Sequence, residues 1–454
     1  MSTFVVEGRK KLSGAVAVSG NKNEALPLIA AALLCDAPVT FTNVPDIGDV
    51  QDMLSIAAAL GVTVSPLADG TVTVDASNIG TSLLPLELSS RIRGSILFAS
   101  ALLVRTGKVI LPQPGGDSIG RRRIDTHFYV FQKLGASMDV TRERSEDTGE
   151  CFTYILNAPK GLEGTEIYLD EASVTATENA LIVAAGARGR TVIANAASEP
   201  HVQGLCRFLE KLGVFIEGIG SNVLTIHGIK KFKAVEHEVG SDYIEAGSFI
   251  SLAAATDSAI SITHIDTRVM RLILFQFERI GVTVEVDREN KTIHIPDGQN
   301  LCIRKDLGDA IPRIEDSPWP GFPADLMSIM LVTATQSQGT CLIHEKMFES
   351  RLFFVDKLIS MGAQIVLCDP HRALVVGPSR LYGAHISSPD IRAGMALLIA
   401  ALAAEGRSVI HNIAQIDRGY ERIDERLRSL GADVSRISMR RRSTDQPLLR
   451  GTNT

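Results

Sequence analysis

Leu60-Gly61-Val62 is the first of six copies of a short phrase, in which a large apolar residue is followed by glycine and then by valine or alanine. The other copies are Leu134-Gly135-Ala136, Leu212-Gly213-Val214, Ile280-Gly281-Val282, Met361-Gly362-Ala363 and Leu430-Gly431-Ala432. Successive glycines lie 68 to 81 residues apart, and a near-constant period indicates a repeated supersecondary unit. A common helix ending is the alternative explanation, but the regular spacing favours six structural repeats.

The residues around the first copy predict the content of one unit. In chain order they read as a buried helix over 23–34, a strand over 39–44, an amphipathic helix over 47–60, and a hairpin over 62–64 and 72–74. Asp46 is the expected N-cap of the second helix, and Gly61 is its expected left-handed C-cap. The third copy has the same order, whereas the sixth lacks a clear final hairpin.

The helices and strands of the repeat predict an α/β (α+β) protein, and the composition is typical of a globular one. At 454 residues the chain is long for a single core, so six units suggest two domains of three units each. The net charge of −6 does not favour nucleic-acid binding. The longest apolar runs, over 25–35 and 394–404, are too short to cross a bilayer.

Cysteine and histidine usage predicts a cytoplasmic protein without a metal. The six cysteines are scattered and contain no CxxC motif, which is typical of reduced thiols. The ten histidines have no metal-binding spacing. The chain opens on the strand-like Phe4-Val5-Val6, so no signal peptide is expected.

Ser19-Gly20-Asn21-Lys22-Asn23, directly before the first helix, is the first candidate for chemistry. Backbone N–H groups at the start of a helix favour anions, and a lysine adds a full charge. Lys22 could therefore hold a phosphate or carboxylate, and Asn23 could orient a hydroxyl. A capping asparagine beside a surface lysine is the alternative.

Residues 112–123 form a second candidate, because they interrupt the second unit with three glycines and two prolines. This composition predicts an exposed loop. Asp117 lies within the loop, and Arg121-Arg122-Arg123 follow it. A mobile loop with one carboxyl and several cations suits a lid over an anion. An acidic turn residue beside a basic surface patch is the alternative.

Further candidates lie in the second half of the chain. In Trp319-Pro320-Gly321-Phe322-Pro323-Ala324-Asp325, prolines fix the backbone and Asp325 begins an apolar helix, where an aspartate is often only a cap. Three arginines occupy corresponding places in the fifth and sixth units: Arg351, Arg392 and Arg418. Each of them could equally belong to a surface ion pair.

Together these motifs resemble those of the enolpyruvyl transferases, from about Phe4 to Val434. The matching stretches are Ser19 to Asn23, Pro114 to Gly120, Phe322 to Asp325, and Ile416-Asp417-Arg418-Gly419-Tyr420-Glu421-Arg422-Ile423. The resemblance implies a two-domain inside-out α/β barrel of six βαβαββ-type units, with the active site in the cleft between domains. It implies that 21–231 form domain 1, that 1–20 plus 232–437 form domain 2, and that 438–454 are a disordered tail.

The resemblance also implies an activity. The enolpyruvyl group of phosphoenolpyruvate would pass to the 3-hydroxyl of UDP-N-acetylglucosamine, with release of phosphate, as in the first committed step of peptidoglycan precursor synthesis. The reaction would proceed through a tetrahedral addition intermediate without a metal or an organic cofactor. The expected partners are these two small molecules, with no nucleic acid and no membrane.

By the same resemblance, a set of cations surrounds phosphoenolpyruvate: Lys22, Arg122, Arg351, Arg392 and Arg418. Guanidinium groups match both the carboxylate and the phosphate of that substrate. Asn23 and Asp325 would meet the 3-hydroxyl, with Asp325 as the base or a positioning carboxylate. The residues that would contact the nucleotide sugar are Arg93, Arg122, Arg123, Ile124, Asp125, Thr126 and Met347.

Three positions depart from the usual pattern of this family. Asp117 stands where a cysteine is usual, and we expect it to act as the general acid once the lid has closed. Because fosfomycin alkylates that cysteine, the aspartate predicts insensitivity to this antibiotic. Arg123 replaces a proline beside the uracil, and Glu171 replaces a lysine near the diphosphate, which could weaken nucleotide binding.

Other functions remain open on the sequence alone. Enolpyruvyl transfer to shikimate 3-phosphate or to another uridine nucleotide is a close alternative, although the motifs favour the UDP-sugar branch. A non-catalytic regulator that binds a nucleotide sugar is disfavoured by the presence of Lys22, Asp117, Asp325 and Arg418 together. RNA 3′-phosphate cyclase uses a related repeat, but the acidic net charge and the motifs argue against it.

Overall fold

The computed structural model describes residues 2–117, 119–120, 122–145 and 149–438. The strands are β1 (Ser2–Glu7), β2 (Ser13–Ala17), β3 (Val39–Thr42), β4 (Thr63–Val64), β5 (Val72–Asp75), β6 (Lys108–Pro112), β7 (Ser137–Ser145), β8 (Gly149–Asn157), β9 (Glu166–Tyr168), β10 (Arg190–Ala194), β11 (Phe215–Glu217), β12 (Val223–His227), β13 (Glu236–Glu238), β14 (Ala259–Thr263), β15 (Glu285–Asp287), β16 (Thr292–Ile295), β17 (Arg313–Glu315), β18 (Gly339–His344), β19 (Gln364–Asp369), β20 (Arg372–Gly377), β21 (His385–Ser387), β22 (Arg407–His411) and β23 (Asp433–Ser438). Of the predicted disordered tail, residues 439–454 lie outside the described residues.

The helices lie between these strands in the order that the repeat predicts. They are α1 (Lys22–Ala32), α2 (Gly48–Ala59), α3 (Leu86–Ser89), α4 (Phe98–Thr106), α5 (Asp125–Lys133), α6 (Val174–Gly186), α7 (Pro200–Lys211), α8 (Tyr243–Ala255), α9 (Arg271–Arg279), α10 (Met327–Gln336), α11 (Val355–Ser360), α12 (Ile391–Ala403), α13 (Ala414–Asp417) and α14 (Ile423–Ser429). Short 3-10 helices span Arg93–Leu97, Leu307–Asp309, Ala324–Leu326 and Arg351–Phe354. Within the described ranges, the helices are too short or too polar to pass through a bilayer.

The third unit shows the complete pattern of one repeat. β9 pairs in parallel with β10, β10 pairs antiparallel with β12, and β11 completes the sheet beside β12. Ile193 of β10 lies opposite Ile167 and Leu224, and all three side chains are buried on the same face. The described residues form five four-stranded sheets and one three-stranded sheet of this kind. The six predicted units are therefore confirmed.

Each unit packs one largely buried helix inside its sheet. α8, α10 and α12 bury nearly every residue, because neighbouring helices surround them. The outer helices, such as α7, bury only one face. The buried apolar side chains form two separate clusters, one over residues 25–239 and one over residues 4–18 and 243–434. We call the parts of the chain around these clusters the first lobe and the second lobe.

The repeated glycine ends the outer helix of every unit. Its φ angle is between 91° and 108° at Gly61, Gly135, Gly213, Gly281, Gly362 and Gly431. Positive φ strains a residue that has a Cβ atom, so glycine is favoured there. The predicted left-handed turn at Gly61 is confirmed. The predicted cap at Asp46 is wrong, because Ile47 precedes α2 without a side-chain cap and Asp46 accepts a hydrogen bond from Gln51 instead.

The sixth unit takes a strand from the beginning of the chain. β1 lies between β22 and β23 and is antiparallel to both, with Val5 opposite Val409 and Ser435. In the third unit, β12 holds the corresponding place. The sequence of the sixth unit showed no clear final hairpin because its missing strand is located at residues 2–7.

Two segments join the lobes, and they pair with each other. Asn21 N–H donates to the Gly240 carbonyl at 2.7 Å, and Asp242 N–H donates to the Ser19 carbonyl at 2.9 Å. The second segment crosses only after β13 has paired in parallel with β3 of the first lobe. Residues 236–238 therefore lie in a first-lobe sheet, beyond the boundary expected at 231. The boundaries of the two domains themselves stay a prediction.

Candidate active site

A cleft between the lobes collects most of the predicted site residues. Ten of them line one cavity: Lys22, Asn23, Arg93, Asp117, Arg122, Asp325, Met347, Arg351, Arg392 and Arg418. Arg123, Ile124, Asp125 and Thr126 are not among the residues that line it. The structure therefore separates the predicted anion-binding residues from part of the predicted nucleotide-binding stretch.

Lys22 is the first residue of α1, and its side chain is buried in the cleft. Asn21 is the N-cap, since its side-chain oxygen accepts the Glu24 N–H. This leaves Asn23 free of the capping role. Lys22 Nζ lies 2.7 Å from Asp49 Oδ2, and the two side chains are only 9% and 3% exposed. Lys22 is thus a buried cation at a helix N-terminus, where its charge and the helix dipole both favour an anion.

Asp49 joins Lys22 to Arg418 of the second lobe. Arg418 Nε donates to Asp49 Oδ1 at 2.7 Å. Burial works against ionisation of Asp49, but the charges of Lys22 and Arg418 hold the pKa of its carboxyl below the usual value. The sequence analysis missed Asp49. The sequence shows Asp49 only as an acidic residue in the first turn of α2, because its partners Lys22 and Arg418 belong to other segments of the chain.

Asp117 also contacts Arg418. One oxygen of Asp117 accepts a hydrogen bond from Arg418 Nη1, which also donates to Gln415 Oε1 at 2.8 Å. The loop that carries Asp117 touches the second lobe again where Ser350 N–H donates to the Ile119 carbonyl at 3.2 Å. Within the predicted loop, Ser118 and Arg121 lie outside the described residues. The described part of the loop closes the cleft by bonding to the opposite lobe.

Asp325 is held by two arginines of the second lobe. Arg351 Nη2 donates to Oδ1 at 3.0 Å, and Arg392 donates to Oδ2 from Nε at 3.1 Å. Burial opposes ionisation, yet the charges of Arg392 and Arg351 hold the pKa of Asp325 well below its usual value. Asp325 lies in the 3-10 helix Ala324–Leu326 and makes no cap bond, so it is an ion-pair partner rather than a cap.

The arginines retain capacity for a ligand. Arg392 Nη1 is buried and has no hydrogen-bond partner among the described residues. The Arg392 guanidinium also lies over the Tyr420 ring, 5.4 Å from its centroid, which fixes its orientation. Burial lowers the pKa of Arg122. A buried guanidinium with an unpaired N–H is stabilised by an incoming anion.

Arg93 and the stretch 122–126 organise the loop beside the cleft. Arg93 Nη2 donates to the carbonyl oxygens of Arg122 and Arg123 at 2.9 and 2.5 Å. Burial and the neighbouring Arg122 lower the pKa of Arg93 to about 10. Ile124 precedes α5 and packs partly buried against the first-lobe cluster. Arg93 therefore holds the backbone of this stretch.

The exposed end of that stretch is ion-paired. Arg123 Nε donates to Asp125 Oδ2 at 3.1 Å, and Arg123 Nη2 lies 3.1 Å from Asp170 Oδ2. Thr126 Oγ1 donates to Asp170 Oδ1 at 2.7 Å. Arg123 thus contacts carboxylates on its own lobe. Its predicted contact with the nucleotide stays a prediction.

Met347 reaches the cleft from the second lobe. Its N–H donates to Asp316 Oδ2 at 3.2 Å, and the residue is 39% exposed. Behind it, Glu345 is fully buried beside Asp316 and Arg351. Burial raises the pKa of Glu345 to about 9 even though Arg351 lowers it. The Asp316 and Glu345 side chains together anchor the segment that carries Met347.

Several cavity-lining residues were not assigned a role by sequence: Asp49, Glu178, Glu199, His201, Tyr243 and Trp319. Among the described residues, no group of three His, Cys, Asp or Glu side chains is arranged to hold a metal ion. The cleft therefore presents cations from both lobes, three ion-paired aspartates, and a further polar wall.

Comparison with known proteins gives full-length matches. The model of the family described as EPSP synthase (3-phosphoshikimate 1-carboxyvinyltransferase) matches residues 6–427. A UDP-N-acetylglucosamine 1-carboxyvinyltransferase of Treponema denticola is 51% identical over 96% of this chain and 99% of its own length. The proteins of that name from Bradyrhizobium diazoefficiens and Treponema pallidum are 51% and 49% identical, with the same coverage.

Solved structures give the same fold. The enolpyruvyl transferase NikO from Streptomyces tendae superposes with a TM-score of 0.82 at 27% identity, covering 96% of this chain and 98% of its own. EPSP synthase from Acinetobacter baumannii superposes with a TM-score of 0.73 at 17% identity, covering 96% and 100% of the two chains. The expected two-domain fold is confirmed by these neighbours.

Proposed function

The chain belongs to the EPSP synthase family of carboxyvinyl transferases, and from this membership we propose that it transfers the enolpyruvyl group of phosphoenolpyruvate to the 3-hydroxyl of UDP-N-acetylglucosamine. Relatives of that name are about half identical to it over nearly the full chain. The observation that carries the proposal is the set of cations that both lobes direct at one cleft, Lys22 from the first lobe and Arg392 and Arg418 from the second. The protein would catalyse the first committed step of peptidoglycan precursor synthesis in the cytoplasm.

Phosphoenolpyruvate would replace the carboxylates that now pair with these cations. Its phosphate competes with Asp117 for Arg418 and adds a second anionic partner beside Lys22. Its carboxylate takes the unpaired Nη1 of Arg392. Charge-assisted hydrogen bonds of this kind are about twice as strong as neutral ones. Arg122 and Arg351 complete the set.

The addition step forms a bond between the acceptor oxygen and C2 of phosphoenolpyruvate, while a proton is added to the C3 methylene. We assign that proton to Asp117, which is released from Arg418 when the phosphate arrives and takes up a proton from water before it donates one to C3. The proton of the acceptor hydroxyl passes to water. In the second step C3 returns a proton to the Asp117 carboxylate and the C2=C3 double bond forms again, while the bond from C2 to the phosphate oxygen breaks and phosphate leaves with the electron pair.

Asp325 would act as a positioning carboxylate in this scheme. A carboxylate whose pKa two arginines hold well below the usual value is a weak base. It remains a strong hydrogen-bond acceptor, so together with Asn23 it can fix the direction of the 3-hydroxyl. The nucleotide would be contacted by Arg93, Met347 and the stretch 122–126.

Phosphate release tests this proposal directly. The unaltered protein is mixed with phosphoenolpyruvate and, in turn, UDP-N-acetylglucosamine, shikimate 3-phosphate or no acceptor. We expect phosphate only with the UDP-sugar, and a decrease of about 10²- to 10⁴-fold in Asp117→Asn, since general acid catalysis contributes that much. Asp69→Asn, in an exposed turn, is the matched control and should turn over normally. Phosphate release with shikimate 3-phosphate, or full activity of Asp117→Asn, would contradict the assignment.

A further inference from the structure

One wall of the cleft takes no part in the transfer chemistry described above. Glu178, Glu199 and His201 line the cavity on the side of the first lobe. Glu178 and His201 are only 2% and 4% exposed. Buried polar side chains without partners are uncommon in folded proteins, so a cluster of them in a ligand cavity requires an explanation.

Two helices of the third unit place these residues. Glu178 lies in the second turn of α6, which Ser173 caps by accepting the Ala176 N–H. Glu199 immediately precedes α7, yet its side chain makes no cap bond to that helix. His201 is the second residue of α7 and faces the cavity. α6 and α7 pack against each other, which brings the three side chains to one wall.

Each of the three side chains has an unused polar atom. Glu178 Oε1, Glu199 Oε2 and His201 Nε2 are all buried and have no hydrogen-bond partner within the described part of the chain. Leaving a buried donor or acceptor unpaired costs about 1–3 kcal/mol. A bound ligand with matching hydrogen-bonding groups would remove that cost.

Burial disfavours charge on the groups of this wall, in contrast to the cationic part of the cleft. Burial, reinforced by the negative charge of Glu199, raises the pKa of Glu178 well above its usual value. Burial also raises the pKa of Glu199 and lowers the pKa of His201 to about 4. These shifts favour the uncharged form of each group, and uncharged carboxyl and imidazole groups offer both hydrogen-bond donors and acceptors.

The second lobe completes this wall. Tyr243 Oη lies 3.2 Å from His201 Nδ1, and Trp319 N–H donates to Glu199 Oε1 at 3.4 Å. Ser198 Oγ donates to the Trp319 carbonyl at 3.2 Å. The Tyr243 and Trp319 rings lie 6.0 Å apart. Apolar ring faces beside neutral hydrogen-bonding groups are the usual surroundings of a sugar ring, and here they assemble only where the lobes meet.

We propose that Glu178, Glu199 and His201 bind the uncharged substituents of the acceptor sugar, its acetamide and free hydroxyl groups, and thereby select the acceptor. This inference rests on the proposed function, since it assigns the acceptor subsite of the same cleft. An acceptor without the acetamide leaves a buried polar group of this wall unpaired, which disfavours its binding. The cations opposite remain available for phosphoenolpyruvate.

Binding measurements on the full-length protein test the inference. Dissociation constants are measured by calorimetry for UDP-N-acetylglucosamine, UDP-glucose and UDP. We expect Glu178→Leu to weaken binding of UDP-N-acetylglucosamine by about 3- to 10-fold, the effect of one lost hydrogen bond, and to reduce its preference over UDP-glucose. Binding of UDP should not change. Glu178→Gln keeps a donor and an acceptor, so it should bind within about 2-fold of the unaltered protein.

Two further variants complete the design. His201→Phe retains the ring beside Tyr243 but lacks the imidazole nitrogens, and it should show the same selective loss if Glu178→Leu does not fold. Glu210→Gln, exposed on α7, is the matched control and should bind normally. Unchanged affinity in Glu178→Leu and His201→Phe, an equal loss for UDP, or a loss in Glu178→Gln as large as in Glu178→Leu would each overturn the inference.

The failure of this inference can be separated from failure of the proposed function. If the unaltered protein releases phosphate with UDP-N-acetylglucosamine while the variants keep their selectivity, only the subsite assignment is wrong. If the unaltered protein releases no phosphate with that acceptor, the proposed function itself is wrong, and the subsite assignment is wrong with it.

Discussion

Arg418 of the second lobe lies with its Nε atom 2.7 Å from Oδ1 of Asp49 in the first lobe, and the other oxygen of that carboxylate lies 2.7 Å from Lys22 Nζ. A single buried carboxylate thus separates two cations that would otherwise repel each other. It also links the lobes directly across the cleft. Both cations are the ones to which we assign the phosphate of phosphoenolpyruvate.

Asp49→Asn tests this arrangement. Removing the negative charge leaves two cations close together, and breaking a buried ion pair from one side costs about 3–5 kcal/mol. We therefore expect a lower melting temperature and a KM for phosphoenolpyruvate raised by at least about 10-fold, because Lys22 and Arg418 lose their positions. Thermal unfolding and steady-state kinetics measure the two effects. Addition of phosphate ion should restore part of the lost stability, and a variant as stable and active as Asp69→Asn would argue against the role.

The variant Asp325→Asn tests whether Asp325 positions the acceptor hydroxyl or acts as the base that removes its proton. The pKa of Asp325 lies well below its usual value, so the carboxylate is ionised throughout the pH range of an ordinary assay. The acid limb of the kcat/KM profile of the unaltered protein should therefore not arise from Asp325. We expect Asp325→Asn to reduce kcat by about 10²-fold or more while the pH of that limb stays unchanged. A limb that disappears in the variant would show that Asp325 titrates and serves as the base.

Asp117 predicts the response to fosfomycin. An epoxide is attacked by a thiolate far more readily than by a carboxylate, so the unaltered protein should keep its activity during prolonged exposure to fosfomycin. Asp117→Cys should become sensitive, with activity lost progressively over time. The experiment follows residual phosphate release after incubation with the drug, and mass spectrometry detects the covalent adduct. Inactivation of the unaltered protein at a similar rate would contradict the prediction.

Glu345 predicts a dependence of stability on pH. Burial raises the pKa of its carboxyl to about 9 in the folded protein, above the usual value of about 4.3 in an unfolded chain. The protonated carboxyl's contribution to the free energy of unfolding is therefore fully present below about pH 4. It is lost as the pH rises towards 9, by up to about 1.4 kcal/mol for each pH unit. Urea unfolding at pH 5.5 and pH 8.5, chosen here as two points inside that window, gives the slope.

Glu345→Gln supplies the comparison for that measurement. Glutamine cannot ionise, so the variant should lose less stability between the two pH values than the unaltered protein does. Glu210→Gln, exposed on the surface, should behave like the unaltered protein. Equal pH dependence in Glu345→Gln and the unaltered protein would show that this buried carboxyl does not titrate across the window.

Local features of the fold were predictable from sequence because their causes are local. Gly61 and its five counterparts end helices with positive φ, and a residue without Cβ is the favoured choice at such a position. The motif with Asp325 was likewise found, since its neighbouring prolines mark it. The N-cap expected at Asp46 was wrong, because the backbone there is held by contacts outside the helix, including the bond from Asp46 N–H to Glu421 of the other lobe.

Relationships between distant segments were not predictable in the same way. Asp49 gains its role from Lys22 and from Arg418, which lies 369 positions away, and no local pattern connects them. The sequence assigned no role to Glu178 and Glu199, because their shared wall exists only after α6 and α7 have packed. The resemblance to a family supplied cations that composition alone could not select from 46 lysines and arginines.

The placement of β1 has a consequence for synthesis of the protein. Its neighbours β22 and β23 span residues 407–411 and 433–438, in the last of the six units. β1 must therefore wait, unpaired, until the ribosome has translated those residues. The first lobe can complete its sheets earlier during translation, whereas the second lobe, which contains β1, closes last.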